Sequence, residues 1–103
     1  MTGPAYIRAV RSLYRKLPNT SLRFSRSDRL LAQDLYRRRI PLDTLRGALL
    51  LATARRLCPQ QSTTPPLPVR SLHYFLPVID ELLLQPLPAG YLQYLESKLK
   101  ACS

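Results

Sequence analysis

The chain is 103 residues long, 46% hydrophobic, and carries 16 Lys and Arg against 6 Asp and Glu, a formal net charge of +10. That length fits one small domain, spanning 1–103, with a real core and argues against two. The longest apolar run, residues 48–52, is far short of the roughly 20 residues a membrane span needs, and two isolated cysteines, Cys58 and Cys102, make neither a disulfide framework nor a metal site, so a reducing, cytoplasmic setting is expected.

Residues 4–17, PAYIRAVRSLYRKL, have the period of an amphipathic helix. Tyr6, Ile7, Val10, Leu13, Tyr14 and Leu17 share one arc, and Arg8, Arg11 and Arg15 form a separate stripe. Pro18 and the polar Asn19-Thr20-Ser21 end it, and Leu22 and Phe24 are expected to tuck inward. Ser25 and Asp28 match a capping box, in which a hydroxyl and a carboxylate three residues apart satisfy the first free amides of a helix. The helix should cover 26–38, with Leu30, Leu31 and Leu35 as its apolar run and Arg26, Arg29, Gln33 and Arg37 on its exposed side. Arg38 and Arg39 finish the basic run before Ile40-Pro41 turns into the next element.

That next element, residues 41–57, reads PLDTLRGALLLATARRL and is apolar on nearly every side, so it should sit in the middle of the fold with neighbours on several faces. Pro41 suits a first helical position, Asp43 the positive helix start, and Arg55 and Arg56 the negative end. Leu45, Leu49 and Ala52 mark its most continuous apolar side and are expected in the core. Residues 58–70 contain Pro59, Pro65, Pro66 and Pro68 and read as an extended, polyproline-like connector. In 71–84, Pro77 calls for a turn or kinked segment followed by a helix from about Leu76, with Phe75, Ile79, Leu82 and Leu83 inward. Pro86 and Pro88 break it, and 89–101 forms a last helix with Tyr91, Leu92, Leu95 and Leu99 on one side and a Glu96 to Lys100 pair outside. No run alternates with period two. The fold class is therefore all-α, a single compact bundle of about five helices around a central apolar helix.

Charge is distributed unevenly. Residues 1–57 hold thirteen Lys and Arg against three acids, and residues 58–103 hold three against three, so the whole excess lies in a basic half, and the connector together with the 71–103 half is neutral. Such asymmetry points to an anionic partner on one half and another task on the other. Arginine outnumbers lysine thirteen to three, a bias suited to bidentate phosphate contact. Cations at helix C-termini, such as Arg37, Arg38 and Arg39, also help the dipole, but mid-helix Arg8, Arg11 and Arg15 have no such explanation. Tyr6, Tyr14 and Tyr36 are interleaved with the arginines; core packing or a rim position accounts for each better than stacking on bases.

Catalysis finds no support in the inventory. His73 is the sole histidine and reads as a partly buried neighbour of Tyr74 and Phe75, with only Asp80 as a carboxylate at helical spacing; no acid pair is spaced for acid and base work, and Gly3, Gly47 and Gly90 make no phosphate loop. No catalytic residue, metal or cofactor is expected. Helices 26–38 and 41–57 invite a helix-turn-helix reading, but a recognition helix must offer polar side chains to base edges and the second helix here is nearly all leucine and alanine. Backbone contacts, largely independent of sequence, fit better.

The order of a Ser-capped helix, a turn with proline, an apolar helix with Ala48 and Arg55-Arg56, a proline-containing gap, and Ser71-Leu72-x-Tyr74-Phe75 leading into Ile79-x-x-Leu82 resembles the C-terminal domain of DnaD-type primosome proteins over residues 25–84. The resemblance implies a helical domain that binds single- or double-stranded DNA and contacts the replicative helicase or its loader. It also implies a part in DNA binding for the aromatic-x-x-x-Ile-x-x-aromatic motif of the late helix, to which Phe75 and Ile79 correspond, while Leu82 stands at the second aromatic position.

The expected function is a non-catalytic nucleic-acid-binding accessory subunit of a bacterial or mobile-element replication, recombination or defence complex. Arg8, Arg11, Arg15, Lys16, Arg26, Arg29, Arg37, Arg38 and Arg39 are expected to contact phosphates, with DNA ahead of RNA as the partner. Tyr74, Phe75, Ile79, Tyr91 and Tyr94 are expected to face a larger protein of the same complex. The alternative is an adaptor whose basic face docks an acidic protein. An anionic membrane surface ranks third, because the first helix already has packing partners, and no membrane partner is expected.

Overall fold

In a computed structural model, residues 2–18, 20, 23–57 and 68–102 are described, the last without its side chain. The architecture is all-α. The described residues form five α-helices, α1 (Gly3–Lys16), α2 (Arg26–Arg37), α3 (Leu42–Leu57), α4 (Leu76–Leu84) and α5 (Tyr91–Cys102), and a short 3₁₀-helix (Leu72–Phe75) that runs directly into α4. No strand occurs among the described residues; an isolated parallel bridge joins Thr20 to Val69.

Local chemistry sets the helix ends. The Thr2 hydroxyl accepts from the Ala5 N–H at 3.3 Å to start α1. At its end Thr20 donates to the carbonyls of Leu17 and Tyr14. The Ser25 and Asp28 capping box is present in full at α2. The other end of α2 is a Schellman motif: Ile40 N–H donates to Leu35 O at 3.2 Å and Arg39 N–H to Tyr36 O at 3.0 Å, with Arg39 in the left-handed region at φ 56°. Buried Ile40 and Leu35 supply the accompanying apolar contact. Pro41 lies one position before α3, not at its first helical position, and its carbonyl accepts from Leu45 N–H. Pro77 falls in the first turn of α4, where its missing N–H leaves no helical bond unmade, and the preceding residues take the tighter 3₁₀ form.

α3 is the centre of the packing. α1, α4, α5 and the 3₁₀-helix all lie against it, while α2 packs on α1 and the 3₁₀-helix. Leu45, Leu49 and Ala52 are core, as their spacing requires, and Ala48, Leu51, Ala54 and Leu57 bury the other sides. Thr53 is buried too and donates its hydroxyl to Leu49 O at 2.7 Å, which removes the cost of an unpaired polar group. Gly47 allows a close approach: a Cβ there would lie 2.9 Å from Leu87 Cδ1. The core is continuous across both charge halves, running from Tyr6, Val10 and Tyr14 through α3 to Phe75, Ile79, Leu95 and Leu99. The thinnest dimension, 19 Å, is about two helix diameters, so most helices keep a face in solvent.

Several expectations are corrected. Leu30 and Leu83 are exposed, because each falls outside the arc of its short helix that neighbouring elements cover. Val69, assigned to the connector, is buried, and its carbonyl accepts from the Tyr14 hydroxyl. Glu96 pairs with Arg46 of α3 in place of Lys100, since α5 lies against α3. Leu22 and the polyproline connector over 58–67 lie outside the described residues.

Candidate nucleic-acid interface

α1 and α2 pack antiparallel: the Gly3 end of α1 meets Tyr36 near the end of α2, and Tyr14, towards the end of α1, meets Phe24 just before α2 begins. Two grooves flank this pair. One, of about 270 Å³, is lined by Pro4, Ile7, Arg8, Arg11, Phe24 and Arg29. The other, of about 510 Å³, is lined by Tyr6, Tyr36, Arg37, Arg39, Ile40, Pro41 and Leu42. Of the nine basic residues expected at phosphates, three therefore share one groove and two the other; Arg26 is exposed in the first turn of α2, and Arg15 and Lys16 are exposed in the last turn of α1.

Pairing separates the arginines more sharply than position does. Arg38 faces Asp80 of α4 at 3.6 Å, Arg46 pairs with Glu96, and Arg55 donates to both carboxylate oxygens of Glu81 at 2.8 and 2.7 Å. That fork holds the Glu81 carboxyl below its ordinary range and raises Arg55. Arg56 lies over the Tyr74 ring, 5.4 Å from its centroid. Arg38 is thus a tie between α2 and α4, unlike the other expected phosphate contacts. Among the described residues no acid lies within ion-pair reach of Arg8, Arg11, Lys16, Arg26, Arg29, Arg37 or Arg39. Arg8 Nε donates to Pro4 O at 3.5 Å, leaving its other N–H donors to the groove.

Arg26 and Arg29 sit in the first turn of α2, where the helix dipole is positive and a cation is disfavoured. Their neighbour Asp28 does not neutralise them, because it is fully buried and turned to backbone. Its Oδ2 accepts from Ser25 N–H and Oγ, both at 3.0 Å, and its Oδ1 accepts from Ser71 Oγ at 3.1 Å and Leu72 N–H at 2.9 Å. Burial by itself raises the Asp28 carboxyl, but these four hydrogen bonds outweigh it and hold the group below its usual value. One carboxylate thus caps α2 and fastens the 3₁₀-helix to it.

His73, expected partly buried with Asp80 as its nearest carboxylate, is exposed and belongs to this cluster instead. Its Nδ1 lies 2.9 Å from Ser71 Oγ and 3.9 Å from Asp28 Oδ1. A Ser, a His and an Asp so placed are not arranged as a hydrolytic triad, which needs the serine and the carboxylate on opposite ring nitrogens; here both face Nδ1, and Ser71 Oγ also accepts from His73 N–H as a cap.

The residues expected at a protein partner divide. Tyr74 and Tyr94 are exposed and Tyr91 half-buried, but Phe75 and Ile79 are fully buried, so neither reaches the surface. Phe75 ends the 3₁₀-helix and Ile79 lies on α4, and both elements pack on α3. Tyr6 and Tyr14 are likewise core, with Tyr6 OH donating to Ile40 O at 2.8 Å; burial raises the Tyr6 hydroxyl. Phe24 is the groove residue that sequence periodicity missed, because it lies in a connection and not on a helical face. The signal available was an aromatic residue between Arg23 and the capping serine. No helix among the described residues is long and apolar enough to cross a membrane, and no group of metal-ligating side chains occurs among them. No family model, curated protein or solved structure matches the chain.

Proposed function

We propose that the chain is a non-catalytic nucleic-acid-binding accessory protein that holds phosphates with the arginines of α1 and α2, largely without regard to base sequence. The observation that carries this reading is the pairing pattern: Asp80, Glu81 and Glu96 meet Arg38, Arg55 and Arg46, and Asp28 is consumed by caps, while Arg8, Arg11, Lys16, Arg26, Arg29 and Arg37 have no acid within ion-pair reach among the described residues. Arg26 and Arg29 oppose the helix dipole as well, a cost that a bound polyanion offsets. DNA is the nucleic acid proposed, in a cytoplasmic replication, recombination or defence complex of a bacterium or mobile element, in keeping with the resemblance to DnaD-type primosome proteins.

A partner protein belongs on α4 and α5 in this reading. Tyr94 of α5 and Leu83 and Leu84 of α4 are exposed on helices that pack on α3 and not on α2.

The test is a titration of a labelled mixed-sequence oligonucleotide at several salt concentrations. With about six phosphates neutralised, log K falls against log salt with a slope near −5. A slope shallower than about −2, or strong preference for one sequence, overturns the reading in favour of an adaptor whose arginines meet an acidic protein.

A further inference from the structure

We infer that the groove between α1 and the start of α2 takes an unpaired stretch of nucleic acid, with phosphates on Arg8, Arg11 and Arg29 and a base against the ring of Phe24. The inference rests on the nucleic-acid reading above and specifies its substrate as single-stranded. Three features of the groove lead to it.

The first is convergence of like charge. Arg8 and Arg11 come from the middle of α1 and Arg29 from the first turn of α2, and all three line one cavity that contains no acid. Three guanidinium groups around one small concavity repel one another unless an anion lies between them, and their forked donors match phosphate oxygens. The second is the ring of Phe24. It is half-buried, held edge to face against Tyr14 at 5.9 Å between centroids, and lines the same cavity. Tyr14 is itself fixed in the core by Phe75 at 6.3 Å and by its hydrogen bond to Val69, so Phe24 rests on a rigid support. Ile7 and Pro4 complete an apolar wall.

The third is size and access. A cavity of about 270 Å³ has room for one flat group, not for the flank of a double helix. In a duplex the bases are stacked on each other and their faces are closed to side chains, whereas an unpaired base offers a face to an aromatic ring. An apolar ring set among arginines matches a strand whose charged backbone and bare base faces are both exposed. Duplex DNA requires only the arginines.

The experiment compares three labelled probes of about twelve nucleotides, within the span one small domain covers: single-stranded oligothymidylate, a mixed-sequence duplex, and an abasic strand that keeps the phosphates and lacks bases. They are titrated at one salt concentration with the full chain, with Phe24→Leu, and with the triple variant Arg8→Gln, Arg11→Gln, Arg29→Gln. The parent should bind oligothymidylate at least about tenfold more tightly than the abasic strand or the duplex, and Phe24→Leu should lose roughly 5- to 100-fold for oligothymidylate with little change for the other two. The triple variant should lose affinity for all three. Equal parent affinity for the three probes, or Phe24→Leu binding like the parent, overturns the single-strand inference while leaving phosphate binding in place. An unchanged triple variant removes phosphate binding through this groove as well. If Phe24→Leu melts early, Phe24→Tyr, which keeps the ring, should retain the preference, and its loss in that variant counts against the base contact.

Discussion

Asp28 does work out of proportion to its size. It is fully buried, yet stays ionised because two N–H groups and two hydroxyls point at it, and those donors come from the start of α2 and from the 3₁₀-helix, 44 positions apart in the case of Leu72. Asp28→Ala strands the buried Leu72 N–H and removes a cap, so chemical denaturation at neutral pH should show a loss of about 2–4 kcal/mol. The direction of its pKa fixes the pH dependence. A carboxyl held below its unfolded value, ordinarily near 4, contributes stability that is complete above that pH and is lost as pH falls through the lower native value. The stability gap between the parent and Asp28→Asn should therefore be widest at pH 5 and above and narrow towards pH 2, measured by urea melts across that range; a constant gap contradicts the ionised cap. Arg39 presents the opposite case, a residue kept at a cost. It occupies the left-handed position of the Schellman motif where glycine is easiest, while its side chain lines the groove with Arg37. Arg39→Gly should stabilise the fold by about 0.5–1 kcal/mol and yet weaken oligonucleotide binding, with the salt slope reduced by about one. Destabilisation by this change would mean that the left-handed turn is not strained.

At the scale of elements, α3 explains why the bundle holds together. Amphipathic helices such as α1 and α2 bury one face and leave the other in solvent, but a helix buried on most sides needs neighbours all round, and α1, α4, α5 and the 3₁₀-helix supply them. Leu49 is 1% exposed at the middle of this element. Leu49→Ala should cost about 2–5 kcal/mol, read as a lower melting temperature, because neighbours on several faces cannot collapse together into the space left behind. An unchanged melting temperature would place that face at the surface. Amphipathic period and capping made α1, α2 and α5 readable from residue order, and Pro77 made the break before α4 readable, since each signal acts within one or two turns. The outward turn of Leu30 and Leu83 was not readable in the same way, because a leucine beside an apolar arc is buried or exposed according to whether a neighbouring helix reaches it.

For the molecule as a whole, ion pairs tie the basic and neutral halves of the chain together. The neutral half supplies Asp80, Glu81 and Glu96, which hold Arg38, Arg55 and Arg46 of the basic half and so knit the two together. Arg8, Arg11, Lys16, Arg26, Arg29 and Arg37 of α1 and α2 are left with no acid within ion-pair reach among the described residues. Arg38→Gln and Arg11→Gln remove the same formal charge but should behave differently in a titration at fixed salt. The Arg11 variant should lose affinity and reduce the salt slope by about one, while the Arg38 variant, whose partner Asp80 is already at hand, should change binding less. Equal losses would mean that the ion pair does not persist in solution and that the binding face extends to α4.

Residue order alone determined the helices, most of their ends and the central place of α3, because hydrophobic period, capping pairs and proline breaks are local and act through neighbours in sequence. It also settled that the chain is strongly basic and that the exposed faces of α1 and α2 carry arginines. Tertiary structure decided which arginines remain unpaired, that Asp28 serves two elements, that Phe75 and Ile79 are core, and that Phe24 joins Arg8, Arg11 and Arg29 in one groove. Those outcomes depend on distances between residues far apart in the chain, as with Arg55 and Glu81, 26 positions apart, and no period in the sequence encodes such distances.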